Sequence, residues 1–506
     1  MTHIDNVVLF NPRSADAKHR VPNTILQVAG SLRGRYAVQM VDGNLERNPL
    51  EVLRAELSEC ARPVLGMTVM PGPQLRQAIP FSADLKKEFP ELLIVWGGYF
   101  AANQHPVVLR SGYVDFVING PGDRAFPELL DALSENAPSL EHIPNLIFLR
   151  NGEFVKTFKE TIPDMDNLAP FPYEALDARY PLRSYLAKTF MGQRTFAYHS
   201  SFGCPFTCSF CAVVPIYNAR WKGVSAERIA HDIDWFIEHL QIDAMEFHDN
   251  NFFTSRKRTV EFAQRMMGKG VAWWGEGRID TIDKYSDEDL QLMRDSGLRM
   301  IFLGAETGND EVLKQMDKGG TQTGAQIKEF AARLRRFDIV PEYSFVLGLP
   351  GKDSAAVMRQ IQEDIRFIRE IKRLNPDTEI IIYVYSPVPT EGSELYDEIR
   401  AQGFEFPEKL EDWLSPAWER FDLRKNPLTP WLEAKHIQRI KDFETVLNAY
   451  YPTKTDFRIR GFKKILLRLI SFWRYHSGIY AYPYEIKLFH KLWKYRQPEE
   501  QGFYSE

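Results

Sequence analysis

The feature that most constrains this 506-residue chain is a repeated alternation of short apolar runs with helical patterns. In the first part, NVVLF near residue 6, YAVQMVD near 36, PVLGMTV near 63, LLIVWGG near 92 and VDFVING near 114 stand one helix apart. That rhythm predicts a parallel, doubly wound (Rossmann-like) α/β sheet. A second rhythm starts at TFAYHSS and supplies the strand candidates FAYHS, DAMEFHD, VAWWGEG, RMIFLGAE, PEYSFVLG and EIIIYVYS. Six β/α units are too few for the eight of a closed barrel, so an open, partial (β/α)6 barrel is expected. The expected organisation is a sheet domain over 1–150, a Pro-containing linker over 151–190 that packs across domains, a barrel domain over 191–400 and a helical C-terminal region over 401–506.

With 44% hydrophobic and 26% charged residues, the chain is neither disordered nor collagen-like. No apolar run approaches the roughly 20 residues of a membrane-spanning helix, and MTHIDNVVLFNP lacks the basic and apolar regions of a secretory signal. A cytoplasmic protein is expected. The charge is uneven: Lys454 to Arg496 holds eleven basic and two acidic residues in a chain whose net charge is −5. Within it Phe462, Ile465, Leu466, Leu469, Phe472 and Trp473 share one side of a predicted helix, with Arg460, Lys463, Lys464, Arg468 and Arg474 crowding the others. YPYEIKLFHKLWKYR follows. Such helices can either lie in the headgroup region of an anionic bilayer, at the inner face of a membrane, or pack their apolar side onto the barrel. Nucleic-acid binding is not expected, since the chain is acidic overall and shows no recognised module.

Ligands of parallel sheets sit beyond the carboxyl ends of the strands. Here those ends read Asn11-Pro12, Asp42-Gly43, Met70-Pro71-Gly72-Pro73-Gln74, Gly97-Gly98 and Gly120-Pro121-Gly122. So many glycines suggest either a large ligand pressed against backbone or simple tight turns. Three of the four cysteines, Cys204, Cys208 and Cys211, fall within eight residues just after a predicted strand. Structural zinc normally takes four Cys/His ligands in two pairs. Only three are supplied, which suits a [4Fe-4S] cube with one open iron; zinc completed by His199 or His248, or a ferredoxin-type cluster completed by Cys60, are the alternatives.

Cys204-Pro-Phe-Thr-Cys208-Ser-Phe-Cys211, with Phe210 before the last cysteine, resembles the radical S-adenosylmethionine (SAM) superfamily. HDNNF at 248–252, FLGAETGNDEVLKQMDKG at 302–319, FVLGLPGKD at 345–353 and SPVPTEGSELYDEI at 386–399 agree with it. GMTVMPGPQ at 66–74, VWGGYFAANQHP at 95–106 and DFVINGPGDRAFPELL at 115–130 are similar to the cobalamin-binding domain of the cobalamin-dependent (class B) branch. The chain departs from that branch where it reads Asn119-Gly-Pro-Gly-Asp123 rather than Gly-Glu-Gly-Glu, and His248-Asp249 rather than Asp-Asp.

The resemblance implies a [4Fe-4S] cluster on Cys204, Cys208 and Cys211, with SAM on its open iron. Phe210, Asp249, Glu306 and Ser344 would help hold SAM. Arg278 would meet its carboxylate, or pair structurally with Asp280 or Glu276. The adenine would rest near Phe210 and the Leu347-Gly348-Leu349-Pro350 turn. Cobalamin would lie over Thr68, Met70, Gly72, Gln74, Gly97, Gly98 and Gly120. No Asp-x-His-x-x-Gly string is present, so it would be base-off without a protein histidine on cobalt; His105 is not expected to be a ligand. The activity implied is C-methylation of an unactivated carbon by a radical SAM methyltransferase. An oxidative cyclase of the tetrapyrrole type and a non-catalytic cobalamin sensor are the alternatives. The substrate is expected to be organic: the basic tail would suit a lipid, hopanoid or tetrapyrrole, natural products and peptides are also methylated in this branch, and the electron donor would be a flavodoxin or ferredoxin. No side chain is assigned a catalytic role.

Overall fold

The computed structural model describes residues 4, 6–14, 19–135, 137–317, 322–390, 393–422, 428–455 and 459–493. Lys318, Gly319, Glu391 and Gly392 of the quoted motifs, and Arg458, Lys494 and Arg496 of the basic stretch, lie outside them.

The first sheet contains β1 (Asn6–Asn11), β2 (Ala37–Asp42), β3 (Val64–Thr68), β4 (Leu93–Gly97), β5 (Phe116–Ile118), β6 (Leu146–Arg150) and β7 (Glu153–Lys156). Its order is β2-β1-β3-β4-β5-β6-β7, parallel through β5 and antiparallel thereafter. Along β1 the side chains alternate between two cores: Val7 and Leu9 join one, Val8 and Phe10 the other. This two-residue period buries both faces under helices, as a doubly wound sheet requires. The sheet continues past the expected boundary at residue 150 through the β6–β7 hairpin. That hairpin lacks a β/α rhythm, which is why sequence patterning merges it with the linker.

The second sheet holds β8 (Thr195–Tyr198), β11 (Ala244–Phe247), β12 (Ala272–Gly277), β13 (Leu298–Glu306), β14 (Val340–Leu347) and β15 (Glu379–Val384), side by side in that order and all parallel. β8 and β15 are its two edges, so the barrel is open. Between β8 and β11 a hairpin of β9 (Ser201–Gly203) and β10 (Trp221–Gly223) carries the cysteine loop.

Between the two sheets the Tyr185 hydroxyl donates to Asp42 (2.7 Å), while Tyr173 packs edge-on to Phe236. The C-terminal region is not a separate body. Leu410 and Trp413 enter the core of the first domain, with Trp413 edge-on to Phe100 at 5.0 Å, and Tyr113 donates to Glu411 at 2.9 Å. Further on, the helix Ala434–Tyr450 packs against β15 and carries the helix Phe462–Ser477 on its back.

Candidate functional site

The cysteine loop is fixed from below before it binds anything. Gly203, immediately ahead of Cys204, has φ +73°, and a Cβ there would lie 2.2 Å from the Arg220 carbonyl. Only glycine makes that turn. Asp249, at the carboxyl end of β11, is fully buried and accepts hydrogen bonds from the backbone and hydroxyl of Ser200 (3.1 and 2.8 Å) and from the Ser201 hydroxyl. Arg258 donates to the same Ser200, to the Val224 carbonyl (2.7 Å) and to the Phe252 carbonyl (3.2 Å). Asp249 therefore braces the strand that presents the cysteines, and its oxygens face Ser200 and Ser201. On its far side the loop is held by Ser209, whose backbone donates to Met316 (3.0 Å) and whose carbonyl accepts from Thr390 (2.5 Å).

Within the loop the Cys211 backbone donates to the Cys208 carbonyl at 3.0 Å. Arg278 lies under it. Its guanidinium forks onto Asp280 (3.0 and 2.7 Å), donates its remaining edge to Cys208 Sγ (3.1 Å) and stacks 3.8 Å above the Phe206 ring. The structure thus gives Arg278 the structural pairing with Asp280, with a cation left beside the sulfurs. Burial pushes the Cys204 thiol up, and the Phe206 backbone, Arg278 and Asn251 draw it back. A fixed cation beside thiols favours the thiolates that bind metal. Asn251 is fully buried and neither its oxygen nor its nitrogen makes a hydrogen bond of normal geometry. Polar capacity left over beside three thiols on one short loop suits a charged inorganic group. Among the described residues no three His, Cys, Asp or Glu side chains are already gathered as a metal site. His199 and His248 line a cavity between the two sheets, and Cys60 donates to the Glu56 carbonyl at 3.3 Å in the first domain.

Glu306 ends β13 with φ +64°, at a bulge where the pairing with β14 shifts between Gly304 and Glu306. A non-glycine residue in this region marks a backbone held by its surroundings. The holding is done by Asp364, which accepts from the Thr307 hydroxyl (2.6 Å) and the Gly308 backbone (3.0 Å), and by Gln322, which donates to the Gly304 carbonyl (3.0 Å). Ser344 lies opposite Gly304 on β14; it and Glu306 are both buried. Phe210 is partly buried against the barrel core. The Gly348 carbonyl in the Leu347–Pro350 turn accepts from Trp431 at 3.0 Å, so the C-terminal region covers that turn. Asp364, Gln322 and Trp431 escape sequence reading, since they act on backbone from distant elements and carry no motif.

A cavity of about 880 Å³ lies where the carboxyl ends of the first sheet face those of β8, β11 and β12. Thr68, Met70, Gln74, Gly98 and Gly120 line it, whereas Gly72 and Gly97 stand behind the lining. Gln74 ties the rim together, accepting from the Met70 backbone (2.7 Å) and donating to the Pro12 carbonyl (2.9 Å). Two of these glycines are required by their turns. A Cβ on Gly98 (φ +89°) would meet the Val69 carbonyl at 2.7 Å, and one on Gly120 would meet Asn145 at 2.9 Å. His105 is absent from this lining; its Nδ1 donates to the Ala102 carbonyl (3.1 Å), and it borders a second cavity, about 1340 Å³, that reaches Thr207 and Ser209 of the cysteine loop.

The barrel wall of the first cavity carries His199, His248, Asn250 and Glu276. Tyr99 bridges the two domains by donating to Asn250 at 2.5 Å. Burial pushes the Glu276 carboxyl up to about 7, and His248 lies 3.9 Å from it and 3.3 Å from Glu246, which is in turn paired with Arg20 at 2.6 Å. Glu276 faces this cavity instead of pairing with Arg278.

Residues 198–361 match the family model for the Radical SAM superfamily. The chain is 23% identical over 374 residues to an uncharacterized methyltransferase of Pyrococcus horikoshii, covering 72% of this chain and 78% of that protein. It is 26% identical over 310 residues to the anaerobic magnesium-protoporphyrin IX monomethyl ester cyclase of Synechocystis, covering 59% of this chain and 57% of that protein, so it spans less than two thirds of the cyclase. The fold is similar to the radical S-adenosylmethionine methyltransferase TsrM from Kitasatospora setae, solved with cobalamin and a [4Fe-4S] cluster, with a TM-score of 0.67 at 13% identity over 97% of this chain and 98% of that one.

Proposed function

We propose that this radical SAM chain is a cobalamin-dependent methyltransferase acting on an unactivated carbon of an organic substrate. The observation that carries the reading is the opposition of two sets of strand ends across one cavity. A Rossmann-like rim of Thr68, Met70, Gln74, Gly98 and Gly120 faces the ends of β8, β11 and β12, and Phe202 and Tyr217, on either side of the cysteine loop, join the same lining. Ligands of both sheet types gather at such ends.

When bound, the cluster and SAM supply a 5′-deoxyadenosyl radical, and cobalamin supplies a methyl group. Cys204, Cys208 and Cys211 hold the cluster, with Arg278 offsetting thiolate charge. Glu306 and Ser344, presented by the bulge that Asp364 and Gln322 maintain, take the polar groups of SAM. In this reading cobalamin is base-off and His105, which borders the second cavity, is not its ligand. Glu276 and His248 border the space left for substrate, where a carboxyl that titrates near neutrality can hold or accept a proton. A flavodoxin or ferredoxin supplies the electron. The substrate class is lipid, hopanoid or tetrapyrrole, handled at the cytoplasmic face of a membrane.

The similarity to the cyclase favours oxidative cyclisation as the second reading. One experiment separates them: reconstituted enzyme, reductant and methyl-labelled SAM, with candidate substrates, analysed by mass spectrometry. Label in the product supports methylation. Deoxyadenosine with an unlabelled, oxidised product overturns it in favour of the cyclase.

A further inference from the structure

The helix Phe462–Ser477 is amphipathic in the opposite sense to an ordinary surface helix. Its inward face, Leu467, Ser471, Arg474 and Tyr475, is packed on the helix Ala434–Tyr450, with Tyr475 stacked on Tyr450 at 4.6 Å and Arg474 paired to Glu485 at 3.0 Å. Its outward face is Phe462, Ile465, Leu469, Phe472 and Trp473, with Phe462 74% and Leu469 67% exposed. The next helix, Tyr484–Leu492, anchors itself through Ile486 and exposes Tyr484, Leu488 and Leu492 one turn apart. Ten of the sixteen large apolar side chains exposed among the described residues lie between 462 and 492. A soluble surface scatters such residues, and a ridge of them marks a surface that meets something apolar.

Charge says what that is. Lys463 and Arg468 are exposed on the two flanks of the apolar stripe, and Lys491 stands beside the stripe of the second helix. The one acidic side chain of this segment, Glu485, is spent on Arg474. A second copy docking through a two-fold axis would bring these cations together, which disfavours self-association. A protein partner would have to be both apolar and acidic at the same points. An anionic bilayer offers phosphate at the flanks and acyl chains at the ridge.

We infer that the helices Phe462–Ser477 and Tyr484–Leu492 form a docking face for an anionic membrane surface, with Phe462, Ile465, Leu469 and Trp473 entering the headgroup region. The inference is independent of the reaction assigned to the cavity, so its failure would leave that assignment intact. The test is flotation of the full-length holoprotein with vesicles of phosphatidylcholine alone or mixed with phosphatidylglycerol, at low and high salt. Wild type should float with the anionic vesicles at low salt. Lys463→Glu with Arg468→Glu should weaken partitioning by about tenfold or more. Ile465→Glu with Leu469→Glu should abolish it at unchanged iron content and melting temperature. Absence of flotation at low salt, undiminished binding by the Ile465→Glu/Leu469→Glu protein, or a lipid-free dimer that this variant dissociates would each overturn the inference.

Discussion

At the scale of single residues, the site depends on backbone positions that side chains cannot occupy. Gly98 combines φ +89° with a Cβ position 2.7 Å from a carbonyl oxygen, and neither strain nor clash can be relieved by rotating a side chain. Gly98→Val should therefore displace the Val69–Tyr99 turn and lower the melting temperature. It should also remove cobalamin, read as loss of its visible absorbance, while iron per chain stays at the wild-type value. The cysteine triplet on one loop was legible in the sequence, because spacing along one loop survives any tertiary arrangement. The role of Asp249 was not. Whether a carboxylate at a strand end opens to a ligand or turns back to brace Ser200 depends on where β8 and Arg258 lie.

At the scale of elements, the turn after β13 shows how a helix disciplines a strand end. Burial pushes the Asp364 carboxyl up to about 7, while the Thr307 and Gly308 donors pull against that rise. Its folded value thus lies above that of an ordinary carboxyl, so its contribution to stability is full below about pH 4 and is lost as pH rises through 7. Asp364→Asn keeps an acceptor for Thr307 and Gly308 but cannot ionise. Thermal unfolding of the variant should show a flatter dependence over that interval than wild type, and equal slopes would refute the assignment. The C-terminal helices make a related point. Periodicity placed Phe462, Ile465, Leu469 and Trp473 on one side but left both a barrel and a membrane open. The fold uses Leu467, Ser471 and Tyr475 for packing and leaves those four side chains exposed.

At the scale of the whole molecule, the chain returns to its first domain after completing the barrel. Trp413 is buried among Phe100, Phe406 and Trp418 and joins the C-terminal region to the helices behind the cavity. Trp413→Ala should cost about 3–5 kcal/mol of stability. Hydrogen exchange should quicken selectively around Phe100 and Leu410 and leave β11–β14 protected; uniform protection across the molecule would show that the contact is ornamental. The Tyr99–Asn250 bond and the Tyr185–Asp42 bond close the same interface from other sides. The orientation of the two strand-end rims is therefore a property of several distant segments.

The sequence by itself determined both parallel sheets, strand by strand from β1 to β5 and through all six of the barrel, because burial on both faces writes apolar runs that need no knowledge of neighbours. It also determined the cysteine loop and the glycine-rich strand ends, which are local. Only the tertiary structure decided what those glycines avoid, that Arg278 pairs with Asp280, that Asp364 and Gln322 hold Glu306 and that Glu276 faces the cavity with His248. Apart from the Arg278–Asp280 pair, which is local and was one of the readings open in the sequence, each of these is a contact between residues far apart in the chain. Its partner is chosen by the relative placement of whole elements, and no spacing or composition encodes that placement.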